Sequence, residues 1–198
     1  MAAEPTTAVQ RDGRRARRDR SRDLAVDALL DLLGEGITRP TAQQVAERSG
    51  VSLRSIFRIF DDVETLHSEA AARQLDRTRH LFVEVPTTGS LLERIDVIVE
   101  LHDRLYDSVA PVRRAALRAA PESEPLRKQL SLSRAWVRSE AQRLFPDELA
   151  VKDDGGTTLT ALELVLSFEA WDALAAGQGL SGPARRAVIT RLLASLLS

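Results

Sequence analysis

From Ser21 to the end of the chain, apolar side chains return at every third or fourth position, and no stretch alternates apolar with polar residues. That period belongs to helices, and β-branched residues are too sparse to sustain strands, so the expected fold class is all-α. Glycine and proline cut the pattern into segments. Ser21 to Leu33 places Ala25, Ala28, Leu29, Leu32 and Leu33 on one side and stops at Gly34-Glu35-Gly36. A second helix is predicted from Thr41 to Ser49-Gly50, a third from Ser52 to Ile59, and a long one from Val63 to Val85. Ser90 to Val109, Pro111 to Ala120, Glu124 to Phe145, Thr157 to Ala176 and Gly182 to Leu197 follow, separated by Pro121, Pro146, Gly155-Gly156 and Gly177-Gln178-Gly179.

Composition narrows the class. The chain has 198 residues, 43% of them apolar, with 28 basic and 29 acidic side chains and no cysteine. The apolar share fills a core for one large or two small domains, and full disorder is excluded. Without cysteine there are no disulfides, thiolate metal sites or cysteine nucleophiles, which fits a reducing cytoplasm. No apolar run reaches the roughly 18 residues of a membrane span, and the first residues lack the apolar stretch of a signal peptide. All but Lys128 and Lys152 of the basic residues are arginines, a bias suggesting a GC-rich bacterium.

The near-zero net charge hides an uneven distribution. Seven arginines lie between Arg11 and Arg22 against Asp12 and Asp19. Residues 1–20 are therefore read as a disordered basic arm, either a solvated tail or a binder of phosphate backbones, and Arg20 and Arg22, where the first helix begins, are candidate DNA contacts.

One stretch carries a specific pattern. Residues 41 to 60 read T-A-Q-Q-V-A-E-R-S-G-V-S-L-R-S-I-F-R-I-F. Thr41 and Gln44 have the spacing of a capping box. Ala46 is small where two helices would cross, Gly50 can take the positive φ that ends the first, and Ser52 can cap the second. Val45, Val51, Ile56 and Ile59 are spaced to close a core beneath both. Two short helices joined by a glycine-containing turn form a helix-turn-helix. With the preceding amphipathic helix they make a three-helix unit over residues 21–66, leaving residues 67–198 for a larger helical domain.

The segment from Arg22 to Leu66 resembles the DNA-binding domain of the TetR family of bacterial transcriptional regulators, and S-F-E-A-W-D-A-L-A-A-G-Q-G-L-S-G-P-A-R-R-A-V-I-T-R-L-L is similar to the family's last two helices. The resemblance implies a cytoplasmic homodimer on a pseudo-palindromic DNA operator, a repressor released by a small-molecule effector bound in the rear domain. It makes Thr41 a phosphate contact and Ser52, Leu53, Arg54 and Ser55 the exposed start of the recognition helix; Arg58 completes the DNA-facing set. Phe57 stands where the family has a tyrosine whose hydroxyl meets the backbone, Ile59 replaces a common histidine, and Val63 a common lysine. The arginines of the arm can supply the missing charge, because phosphate contacts need charge more than exact position.

The remaining candidates are weaker. His67, His80 and His102 have no metal-ligand spacing, no serine has a nucleophile-elbow context, and no enzyme activity, metal or cofactor is expected. Phe82, His102, Tyr106, Trp136 and Trp171 either pack the rear core or line an apolar effector cavity. From Thr157 to Ala176 thirteen of twenty residues are apolar, more than a single buried stripe requires. Leu162, Val165, Leu166 and Phe168, with Val188, Leu192 and Leu196 of the following helix, are therefore assigned to a dimer interface built as a four-helix bundle. Two alternatives stay open: a helical interaction or scaffold protein whose paired helices merely pack, and a ligand-independent DNA-binding protein.

Overall fold

The computed structural model describes residues 6–37, 39–81, 85–152, 154 and 156–198, and all regular structure among them is helical. In chain order the helices are α1 Thr6–Gly34, α2 Ala42–Ser49, α3 Leu53–Ile59, α4 Val63–Thr78, α5 Leu91–Ala119, α6 Glu124–Leu144, α7 Pro146–Lys152, α8 Thr157–Val165, α9 Phe168–Asp172 and α10 Gly182–Leu197. Among the described residues no helix is long and apolar enough to cross a membrane.

The chain forms two compact units, one of residues 1–76 with 111–123, the other of residues 77–110 with 124–198. The expected division after residue 66 thus lies ten residues later, and the first unit also takes the final turns of α5. Its core is built by α1, α2 and α3 around Val26, Leu29, Leu33, Val45, Ile56 and Phe60, all buried. The apolar stripe of α1 recurs at 25, 26, 29, 32 and 33, so it turns one face inward. In the second unit α8 packs against α6, α7 and α10, and Ile95, Ile98, Leu144, Phe145, Leu162 and Leu193 are fully buried.

Several segments differ from the sequence reading. The basic run is not an irregular arm: residues 6–20 are the first turns of α1. Arginine and alanine are strong helix formers, no proline interrupts them, and the single Gly13 costs only about 1 kcal/mol against alanine. Pro111 lies inside α5 rather than ending a helix. Its missing N–H forfeits one bond, but buried positions continue on both sides of it at Ala110 and Ala115. The long helix predicted from Val63 to Val85 stays α-helical only to Thr78, and Pro146 starts a short helix, a position where its missing N–H is harmless.

The predicted helix from Thr157 to Ala176 is broken at Leu166-Ser167. Ser167 takes an extended conformation, φ −70° and ψ 156°, and its hydroxyl accepts from the Ala170 amide at 3.1 Å. Serine favours capping over continuing a helix because its side chain competes for backbone amides. After α9 the backbone widens into a π-helical turn, Ala173–Gly177.

Candidate functional site

The surface of the first unit is set by the two caps flanking α2 and α3. The Thr41 hydroxyl accepts from the Gln44 amide at 3.2 Å, and the Gln44 side chain accepts from the Thr41 amide at 2.9 Å, which completes the capping box. Gly50 ends α2 at φ 69°, in the left-handed region that favours glycine. Ser52 then caps α3, its hydroxyl accepting from the Ser55 amide at 3.2 Å. With Ile56 and Ile59 pinned inward, the helical period sends Arg54 and Arg58 to the opposite side, and both are exposed. Ser52 and Thr41 are exposed as well, while Leu53 and Ser55 are half-buried.

Phe57 is 57% exposed and lines a shallow cleft with Pro40, Ala42 and Val63. Phe57 lies next in sequence to the exposed Arg58. Among the described residues Arg54 and Arg58 form no ion pair, whereas Arg48 of α2 is held by Glu35 at 2.8 Å.

Along α1, Arg14, Arg15, Arg17, Arg18 and Arg20 are exposed. Arg22 is not part of that set. Its guanidinium pairs with Glu69 and lies 5.3 Å from the centre of the Phe60 ring, so it holds the unit together instead of facing outward. The reason is spacing: position 22 precedes 25, 26 and 29 by three, four and seven residues, at the edge of the buried stripe.

In the second unit the helix break creates a polar centre. Leu166 ends α8, and the Ala170 amide that a continuing helix would offer to its carbonyl is taken by Ser167. That carbonyl instead accepts from the Tyr106 hydroxyl at 2.7 Å and from His102 Nδ1 at 3.1 Å. Both donors sit on α5, one turn apart. His102 is fully buried, and burial pushes its imidazole pKa down to about 4. Its ring stacks on Trp136, centroids 5.4 Å apart, and meets the Tyr106 ring edge-on at 5.3 Å.

One turn of α5 also carries Asp103 and Asp107. Asp103 accepts from Trp171 Nε1 at 2.9 Å, Arg185 Nε at 3.1 Å and Arg186 Nη1 at 2.8 Å. Arg185, itself buried, adds Asp107 and the Leu180 carbonyl and lies over the Trp171 ring at 4.7 Å. Burial works to raise the Asp103 pKa, but the donors of Trp171, Arg185 and Arg186 outweigh it and hold the carboxyl below its ordinary value. The cluster ties α5, α9 and α10 together.

Of the five candidate pocket residues, His102, Tyr106, Trp136 and Trp171 come together here, and Phe82 lies outside the described residues. Of the seven assigned to a dimer interface, Leu162, Leu166 and Phe168 are buried within their own unit, because the break at Ser167 turns that side inward. Val165, Val188 and Leu196 are half-buried and Leu192 is 46% exposed, joined by Leu164 at 65%. Asp103, Asp107, Arg185 and Arg186 are absent from the sequence-based candidates. Their partners are 78 to 83 residues apart, and the only local trace is an acidic pair one turn apart on α5.

Compared with known proteins, the chain matches no family model and no curated protein sequence.

Proposed function

We propose that the protein is a sequence-specific DNA-binding regulator of the TetR type, a homodimeric repressor released from a pseudo-palindromic operator by a small molecule. The observation that carries the reading is the α2–α3 pair. Its two caps and left-handed Gly50 fix a short helix whose outer side presents Arg54 and Arg58 beside Ser52. A helix presented in this way fits the major groove, where arginine reads guanine bidentately and leucine meets a thymine methyl. This makes α3 the recognition helix of a helix-turn-helix, with Leu53, Arg54 and Ser55 at the bases and Thr41 and Arg58 at phosphates.

Two further features support it. The exposed arginines of α1 add sequence-independent attraction for the duplex. The buried aromatic centre of the second unit is the kind of environment in which small molecules bind between helices. Acting on DNA places the protein in the bacterial cytoplasm, and the role asks for no catalysis, metal or cofactor.

The test is selection from random duplexes by the full chain at about 0.15 M salt. The expected result is an enriched sequence with two similar half-sites about one helical turn apart, bound at least about 10³-fold more tightly than random DNA. Uniform binding to all duplexes would leave a non-specific DNA binder. No binding at all would favour a helical interaction protein.

A further inference from the structure

We propose that His102 is the recognition point of a binding site for a neutral aromatic molecule that carries one hydrogen-bond donor, a phenol being the simplest case. The consequence of binding rests on the regulator reading above; the site itself does not.

The argument begins at the Leu166 carbonyl. A carbonyl oxygen only accepts, so the contact from His102 Nδ1 requires the proton on that nitrogen. A neutral imidazole has one such proton, and its other nitrogen, Nε2, is left as a bare acceptor. His102 is neutral here, since burial keeps it from taking a second proton near pH 7. Nε2 is buried, and among the described residues no group donates to it. A buried acceptor left without a donor costs free energy, which a ligand O–H or N–H relieves.

The surroundings define the rest of the ligand. A small cavity with room for about one water molecule borders His102, walled by Val99, Leu166, Ser167, Trp171 and Ile189. The imidazole has the indole of Trp136 stacked on it and the ring of Tyr106 at its edge. Trp136, only half-buried, covers one face of the imidazole. Flat aromatic faces suit another flat ring, stacked or edge-on. Charge of either sign is unwelcome. Glu140, the carboxylate whose charge is felt at the His102 ring, is committed to Arg143 at 2.8 Å, and Asp103 is committed to Arg185 and Arg186. The charges of these groups are already matched, which leaves nothing to balance an ionised ligand.

The experiment uses the full chain without DNA, with ¹⁵N-labelled histidine and three probes: phenol, anisole and benzoate. Phenol and anisole share the ring and its oxygen; only phenol donates, and benzoate is charged. The unliganded protein should show His102 as the Nδ1–H tautomer. Phenol should move the Nε2 resonance saturably, with anisole and benzoate bound at least about tenfold more weakly. His102→Phe should erase the preference for phenol over anisole, while His80→Phe, at an exposed position, should keep it. If His102→Phe does not fold, the tautomer and the phenol–anisole comparison in the unaltered protein decide alone. An Nε2–H tautomer, equal binding of phenol and anisole, or no binding of phenol would each overturn the proposal. Phenol binding by a protein with no DNA affinity would uphold the site and remove the regulator reading; specific DNA binding with no phenol site would do the reverse.

Discussion

A histidine that is neutral because it is buried leaves a mark on stability. The unfolded chain takes up a proton at His102 as the pH falls through about 6.5, whereas the folded chain resists until about 4. Between those values the unfolded state binds more protons, so stability falls as the pH is lowered. The difference between pH 7 and pH 5 should be about 2 kcal/mol. Urea unfolding at the two pH values measures it, and His102→Phe should lose that part of the pH dependence. A pH profile identical in the variant would show that His102 titrates alike in the folded and the unfolded chain. On the proposed DNA surface the decisive side chain is Arg54. Arg54→Ala should weaken operator binding by about 1–3 kcal/mol and relax selectivity at one base pair in each half-site. Equal weakening on every sequence would make Arg54 a phosphate contact. The two residues differ in how far the sequence reveals them. The exposed position of Arg54 follows from its spacing to Ile56 and Ile59 and the cap at Ser52. The pairing of His102 depends on a carbonyl 64 residues away that lacks its helical donor only because Ser167 breaks a helix.

At the level of elements, caps are more legible than helix lengths. The box at Thr41-Gln44 and the stop at Gly50 are local chemistry, written within ten residues, and both stand where the spacing puts them. Proline and serine mislead because their effect depends on what surrounds them. Pro111 sits in a helix whose buried side continues past it, and Ser167 ends a helix whose apolar pattern does not falter. The same context governs α1. Its stripe continues from Arg22 into the core, but no described buried residue precedes Ala25, so residues 13–18 contribute charge and helix, not packing. Deleting residues 1–18 removes the arginines at 11, 14, 15, 17 and 18. The shortened protein should keep its thermal transition and bind DNA more weakly. The slope of log affinity against log salt should flatten by roughly one unit for each phosphate that the deleted arginines neutralise. A slope unchanged by the deletion would mean that the basic turns never meet the duplex.

At the scale of the whole molecule, the last helices keep apolar side chains outside the core. Along α10 the positions 185, 189, 193 and 197 face inward, one every four residues. Val188, Leu192 and Leu196 form a second row beside them, each one residue earlier, with Leu192 still 46% exposed. On α8, Leu159 and Leu162 are buried, while Leu164 is 65% exposed and Val165 half-buried. Because α8 and α10 are neighbours, these rows belong to adjoining helices. A two-fold axis across such a pair would bring four helices together as a bundle, the self-complementary arrangement that isologous dimers require. Sequence composition indicates that a second apolar side exists but not which residues make it; the break at Ser167 decides that, withdrawing Phe168 and leaving Leu164 outside. The expected species is a homodimer with an interface of about 2,000 Å² or more. Sedimentation at micromolar concentration should give twice the 21.8 kDa chain mass. Leu164→Glu together with Leu192→Glu should yield a folded monomer with unchanged helicity, since both side chains lie outside the core. That monomer should lose most of its affinity for a two-half-site operator yet keep weak binding to a single half-site, because the α2–α3 pair is built within each chain. A double variant that still sediments as a dimer would move the interface to another face, and an unaltered protein that is monomeric at these concentrations would remove the dimer altogether.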